Sequence, residues 1–193
     1  MRLVLASFSL AVVIGYLAGG RLSGLGRLHI RWQAAALIGL ALQFAPWPGT
    51  VLPLVFLYLS FALLVVFAIL NIRIAGFPLI LLGILANFLV IGLNHGMPVS
   101  SQALIDSDQE DTRTTLVEEG GAKHHLSGPG DRLVFLGDVI AVAQIQQAVS
   151  VGDILSYAGV MWLIVAGMRL GAPHRRERPS VRVDPEGLGD VDG

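Results

Sequence analysis

Cysteine is absent from this 193-residue chain, which removes disulfides, thiolate metal sites and thiol nucleophiles together. Charge is scarce as well. Asp, Glu, Lys and Arg supply 14% of the residues, where soluble domains carry about 25%, so a water-facing surface of ordinary size would be starved of charge. There is no P-loop, nucleophile elbow or dinucleotide glycine pattern, which leaves nucleotide-driven and hydrolase-type chemistry without a sequence basis. No nucleic-acid partner is expected, and no cofactor is implied.

What the chain has instead is grease in long runs. Hydrophobic residues make up 54% and the mean hydropathy is +0.70. Runs of about 18 or more apolar residues are long enough to cross a bilayer as helix. The short alternating pattern of a membrane β-barrel is missing. Helices are then the spanning structure that satisfies every backbone group internally. The expected class is an all-α integral membrane protein with about five transmembrane helices. The runs cover Leu3–Gly19, Trp32–Phe44, Val51–Leu70, Ile74–Leu93 and Ser150–Leu170. By this reading residues 1–94 hold four helices, 95–149 an extracytoplasmic loop or cap, 150–170 the fifth helix and 171–193 a disordered cytoplasmic tail.

Charge placement sets the orientation. Arg21, Arg27 and Arg31 follow the first run directly, whereas only Arg2 precedes it. Basic residues remain on the cytoplasmic side, so the N-terminus faces out and the first run is read as a retained helix. A cleaved signal at Ala18-Gly19-Gly20 would need the opposite orientation. Arg73, Arg169, Arg175, Arg176, Arg178 and Arg182 also fall on inner connections, against Arg113, Lys123 and Arg132 in the outer loop. The connection Gly20–Arg31 lies where its arginines meet anionic lipid headgroups. Trp32 and Trp47 bracket the second run as interfacial aromatics do. Gly15 and Gly19 form a G-x-x-x-G pair for close helix approach, although a Gly-rich chain produces such pairs by chance.

Polar residues inside the apolar runs are few. Asn87 is the strongly polar side chain well inside a span, and such groups face other helices or a cavity. Asn94 lies seven residues on, about two turns, and so shares its face. There the chain turns through His95-Gly-Met97-Pro98-Val99-Ser100 into its one long hydrophilic segment. The acidic piece Asp106–Glu119 reads as mobile, and the apolar piece Leu133–Ala143 is too short to span and is expected to pack back on the bundle. Ser150 and Asp153 have capping-box spacing at the start of the last helix.

Three pieces in this order carry a family resemblance: Asn94-His-Gly-Met97-Pro98-Val99-Ser100, Phe135-Leu-Gly137-Asp138-Val-Ile140, and Ser150-Val-Gly152-Asp153-Ile-Leu155. After four apolar runs they resemble the bacterial membrane proteins of domain-of-unknown-function family 5317, up to about residue 170. The resemblance implies a small multi-pass protein of the bacterial cytoplasmic membrane with no assigned activity, and it carries over no catalytic residue.

The candidate polar or binding residues are Asn87, Asn94, His95, Ser100, His124, Asp138 and Asp153. His95, His124, His125, Asp138 and Asp153 share the outer side and have metal-ligand chemistry, but no H-x-x-x-H or H-E-x-x-H spacing supports a metal-dependent enzyme. Asp138 has apolar flanks, and a dehydrated carboxylate there would have an unusual pKa. Transport would need assembly of several copies, since no acidic or basic side chain sits well inside a span and the helices do not divide into two repeats. The leading reading is a non-catalytic membrane module that binds a partner or lipid, as a monomer or homo-oligomer, with Met97–Ser100 and Phe135–Ile140 packed together as an outer cap.

Overall fold

A computed structural model describes residues 2–44, 49, 51–118 and 123–172. The expectations for Trp47 and for the tail beyond Ala172 lie outside the described residues. Helices α1 (Arg2–Leu17), α2 (Gln33–Phe44), α3 (Val51–Leu70) and α4 (Phe77–Asn94) come first, and α7 (Val151–Arg169) closes the described chain. Between α4 and α7 lie β1 (Met97–Val99), α5 (Ser101–Asp106), α6 (Glu110–Glu118), β2 (His124–Leu126), β3 (Ile140–Val142) and β4 (Gln147–Val149). The all-α expectation is therefore met for the apolar runs but not for the loop, which holds two short sheets. β1 pairs in parallel with β2, and β3 pairs antiparallel with β4.

Three helices are long and apolar enough to cross a membrane: α3 with 20 residues, α4 with 18 and α7 with 19. α1 and α2 are apolar but shorter, at 16 and 12 residues. α3 spans Val51–Leu70 as its composition predicts, and Pro53 sits in its first turn, where a missing N–H costs little. α4 starts at Phe77 rather than Ile74. Residues 71–75 turn first, and Gly76 adopts φ 90°, which ends any continuous helix there.

Neighbouring helices run in the spatial order α2, α3, α4, α7, α1. The main core lies between α3 and α4 around Leu57, Phe61, Leu64, Phe77, Ile80 and Ile84, with Met97 of β1 joining from above. Phe61 stacks on Phe88 at 5.6 Å, and Phe67 meets Phe77 edge-on at 5.4 Å. A smaller core of Ala11, Ile164 and Met168 joins α1 to α7. At that contact Gly15 faces Met168, whereas Gly19 has φ 76° and open space around it. The G-x-x-x-G pair is thus not a shared helix face: Gly19 ends α1 as a left-handed cap.

The α4–α7 contact is the closest of these approaches. A methyl group at Gly152 would lie 2.7 Å from the Gly83 carbonyl oxygen, and one at Gly159 would lie 2.7 Å from that of Gly76. The facing backbones, together with the side chains of Asn87, Ser156 and Ile80, already fill that space, as in the small-residue interfaces of membrane helices.

One end of the bundle is sealed by main-chain clamps. The Arg21 N–H donates to Met168 O (2.8 Å), and the Arg27 guanidinium donates to Leu170 O (2.7 Å) at the end of α7. Asn71 is fully buried and treats Arg31 as a strand partner would. It accepts from the Arg31 N–H (2.8 Å) and donates to the carbonyls of Arg31 and Phe67 (2.9 Å each). At the opposite end the Leu3 N–H donates to Gln147 of β4 (3.3 Å).

Gly83→Leu should force α4 and α7 apart. Overpacking of this kind costs about 1–3 kcal/mol, read as a lower unfolding temperature in detergent. An unchanged melting curve would show that the glycine contact is not structurally required.

Candidate functional site

The candidate site forms where the helix ends meet the polar segment, and it begins with β1. His95 takes a left-handed conformation (φ 55°) as the C-cap of α4, and its N–H returns to Ile91 O. Gly96 then aims the chain into Met97-Pro-Val99, all three buried. On one side β1 pairs with β2, placing Met97 opposite His124 and Pro98 opposite His125. On the other side it bridges to Asp138. The Asp138 N–H donates to Pro98 O and the Ser100 N–H donates to Asp138 O, both at 3.0 Å. Met97–Ser100 and the Gly137-Asp138 turn thus join through the backbone, as the sequence suggested. Leu136 packs on the core, whereas Phe135 is exposed.

The second half of the site is the start of α7. Ser150 and Asp153 form the expected capping box: Ser150 Oγ accepts from the Asp153 N–H (2.9 Å), and Asp153 accepts from the Ser150 N–H (3.2 Å). Asn87 of α4 closes this into a ring. Its amide donates to Asp153 Oδ1 (2.8 Å) and its carbonyl accepts from the Ser150 hydroxyl (2.8 Å). Asn87 is therefore helix–helix glue with both ends of its amide satisfied.

Beside this ring lies a chamber of about 230 Å³. Its lower walls are Phe44 of α2, Leu57 and Phe61 of α3 and Ile91 of α4. Its polar lining is Asn87, Asp153, Asp138, His124, Lys123 and Gln43. The Lys123 ammonium donates to the Gln43 carbonyl and so fastens the roof to the end of α2. Asp138 is nearly buried, its side chain 12% exposed, while the His124 side chain is 53% exposed, with Nε2 standing 3.9 Å from Asp138 Oδ2. Burial, reinforced by the negative charge of Asp153, raises the Asp138 carboxyl from the ordinary 3.8 to about 8.

Of the residues singled out by sequence, Asn87, His124, Asp138 and Asp153 converge on this chamber. Asn94, His95 and Ser100 do not. Asn94 ties down the cap, accepting from the Arg132 N–H (2.7 Å) and donating to the carbonyls of Arg132 (2.9 Å) and Val90 (2.8 Å). His95 serves through its backbone, and Ser100 caps α5 by accepting from the Ala103 N–H (3.3 Å). His125 turns away to Asp131 at 3.0 Å. Among the described residues no three His, Asp or Glu side chains are grouped as metal ligands would be.

Three features escaped the sequence reading. Lys123 entered the sequence reading only as an outer-loop charge, although it is the only lysine in the chain, a signal that was available. Nothing in the local sequence marks the Gln43 carbonyl as its acceptor. Nor does anything local announce the grip of Asn71 on Arg31. The acidic stretch expected to be mobile is helical over Glu110–Glu118, steadied where Arg113 donates to Ser101 (2.7 Å).

Two substitutions test this geometry. Asn87→Leu would strand the Ser150 hydroxyl and one Asp153 oxygen, at a cost of about 1–3 kcal/mol, measured as lowered thermal stability. If stability is unchanged or improved, the glue role fails. Asp138 binds its proton more tightly folded than unfolded. That contribution is complete below pH 3.8 and disappears as pH rises toward 8. Asp138→Asn should flatten the decline in stability over that window, and a pH profile parallel to the unsubstituted protein's would contradict the raised value.

The comparisons with known proteins agree with the sequence resemblance. No curated protein and no solved structure matches this chain. A family model described as "Family of unknown function (DUF5317)" matches residues 27–165. That range holds all four residues converging on the chamber and the whole cap, and leaves α1 outside. With most of its length matched, from the connection before α2 to the last turns of α7, the chain belongs to this family of unknown function.

Proposed function

We propose that this protein is a multi-pass membrane-binding module that captures a small amine-bearing solute in the chamber beneath its cap. The observation carrying this reading is that Asp138 and Asp153, from the cap and from α7, line one chamber of about 230 Å³ together with the Asn87 amide. Two carboxyl groups facing one small space cannot both ionise without repulsion; the Asp138 proton relieves it near neutral pH, and a cation can take that proton's place as the pH rises toward 8. The apolar lower walls suit a short carbon skeleton behind the charged group. Beneath the chamber Leu64, Ala68, Phe77 and Ile80 are buried together as core, which favours binding over passage. Ser150 gives its hydroxyl hydrogen to Asn87 rather than to a base, which favours binding over nucleophilic catalysis.

In this reading all five apolar helices cross a cytoplasmic membrane, with the N-terminus and cap outside. Arg21, Arg27, Arg31, Arg73 and Arg169 belong to the end away from the cap, which supports that orientation by the positive-inside rule. Arg21 and Arg31 are exposed there and suit anionic headgroups.

Unfolding temperature in detergent, measured with ethanolamine, putrescine or guanidinium at matched ionic strength, tests the reading. The amines should raise it, acetate and glucose should not, and Asp138→Asn should abolish the effect. Because Asp138 must lose its proton to receive a cation, the shift should grow between about pH 6 and about pH 8.5. Equal shifts with acetate, or none with any amine, would sink the proposal.

A further inference from the structure

Among the described residues the chamber adjoins two further spaces. Inside the cap, between α5, α6 and the strands, is a second cavity of about 250 Å³ lined by Leu104, Leu116 and Ala148 among others. His124 and Asp138 line both it and the chamber. Outside the cap runs a surface groove bearing Asp108 and Asp111. Gln109 and Thr112 line both that groove and the cap cavity. Each space therefore shares a wall with the next, from the outer surface to the helix ends.

The two walls differ in kind. Gln109 is fixed, its Oε1 accepting from the Ser107 hydroxyl (3.1 Å) and the Ala148 N–H (2.8 Å). At the inner wall Asp138 is held by main-chain bonds on both its N–H and its carbonyl. His124 is held through its backbone in β2, but its imidazole is half exposed and stands beyond hydrogen-bond distance of the carboxylate, at 3.9 Å. One member of the pair is fixed through its backbone on both sides, and the other carries a ring that makes no hydrogen bond to it.

We infer that the cap cavity is the entrance to the chamber and that the His124 imidazole is the leaf between them, admitting small water-soluble cations from the outer groove. The cation class rests on the binding reading above; the route rests on the shared walls alone. Acidic side chains mark its beginning at Asp108 and Asp111, its inner wall at Asp138 and its end at Asp153. Along this route acidic side chains outnumber the one lysine, Lys123, whose ammonium is bound to the Gln43 carbonyl, and a net negative path raises the local concentration of cations.

The cysteine-free chain allows a direct test. A single Ile91→Cys thiol in the chamber is exposed to a cationic or an anionic methanethiosulfonate, with the protein in lipid nanodiscs so that lipid blocks lateral entry. The cationic reagent should react at least about tenfold faster than the anionic one, after correction for their rates on an exposed Val117→Cys thiol. Adding His124→Ala should speed both reagents, and adding Gln109→Trp should slow both. Leu57→Cys repeats the measurement from α3 in case Ile91→Cys disturbs folding. If His124→Ala leaves the rate of both chamber thiols unchanged, His124 is not the leaf. If Gln109→Trp leaves it unchanged, the cap cavity is not the route. Equal corrected rates for the two reagents would remove the cation selectivity. None of these rates requires an amine to bind at equilibrium, so the route and the binding reading fail separately.

Discussion

The contact on which the rest depends is the backbone-to-backbone approach of α4 and α7. Gly76 and Gly83 lie against Gly159 and Gly152 with no room for a side chain on any of them. That closeness lets the Asn87 amide reach across to Ser150 and Asp153 at 2.8 Å. A side chain's width of separation would leave a buried amide and a buried hydroxyl unpaired in an apolar setting, which is costly. Packing and polarity therefore specify the same register: the glycines set the distance, and the hydrogen bonds reject any sliding of one helix along the other.

The capping box gains a second use from this arrangement. A helix start ordinarily needs its Ser and Asp only to satisfy orphan N–H groups. Here Asp153 uses one oxygen for the Ser150 N–H and the other for Asn87, while still lining the chamber. Its carboxylate is thereby held in place before any ligand arrives. Preorganisation of this kind lowers what binding must spend on ordering the site. Asp138 is held differently, through its main chain in the bridge to β1. Two carboxylates fifteen residues apart, one in the cap and one in α7, are brought together by independent supports.

The apolar runs were legible because membrane length and hydropathy leave few alternatives, and α3 could be bounded to the residue. Asn87 stood out because an amide within an apolar run demands a partner. The box at Ser150–Asp153 was visible because its spacing is local. What the sequence concealed was long-range pairing. The parallel ladder between β1 and β2 joins three-residue strands too short to show a period of two. Asn71's hold on Arg31 spans a separation of 40 residues and uses backbone atoms that no side-chain pattern reports. Within the candidate list, Asn94, His95 and Ser100 were polar for structural reasons (cap tether, helix end, helix start). Their residue types suit those tasks as well as they suit binding.

Only His95 and Gly96 separate the last residue of α4 from the first of β1. The helix forming one wall of the chamber and the strand at the centre of its roof are thus joined by a single tight turn through the left-handed His95 and Gly96. So short a joint leaves the roof little travel relative to the wall, and the wall is pinned to α7 where the backbones already touch. The spacing between wall and roof is therefore set by that joint and by the glycine contact, before anything occupies the space between them.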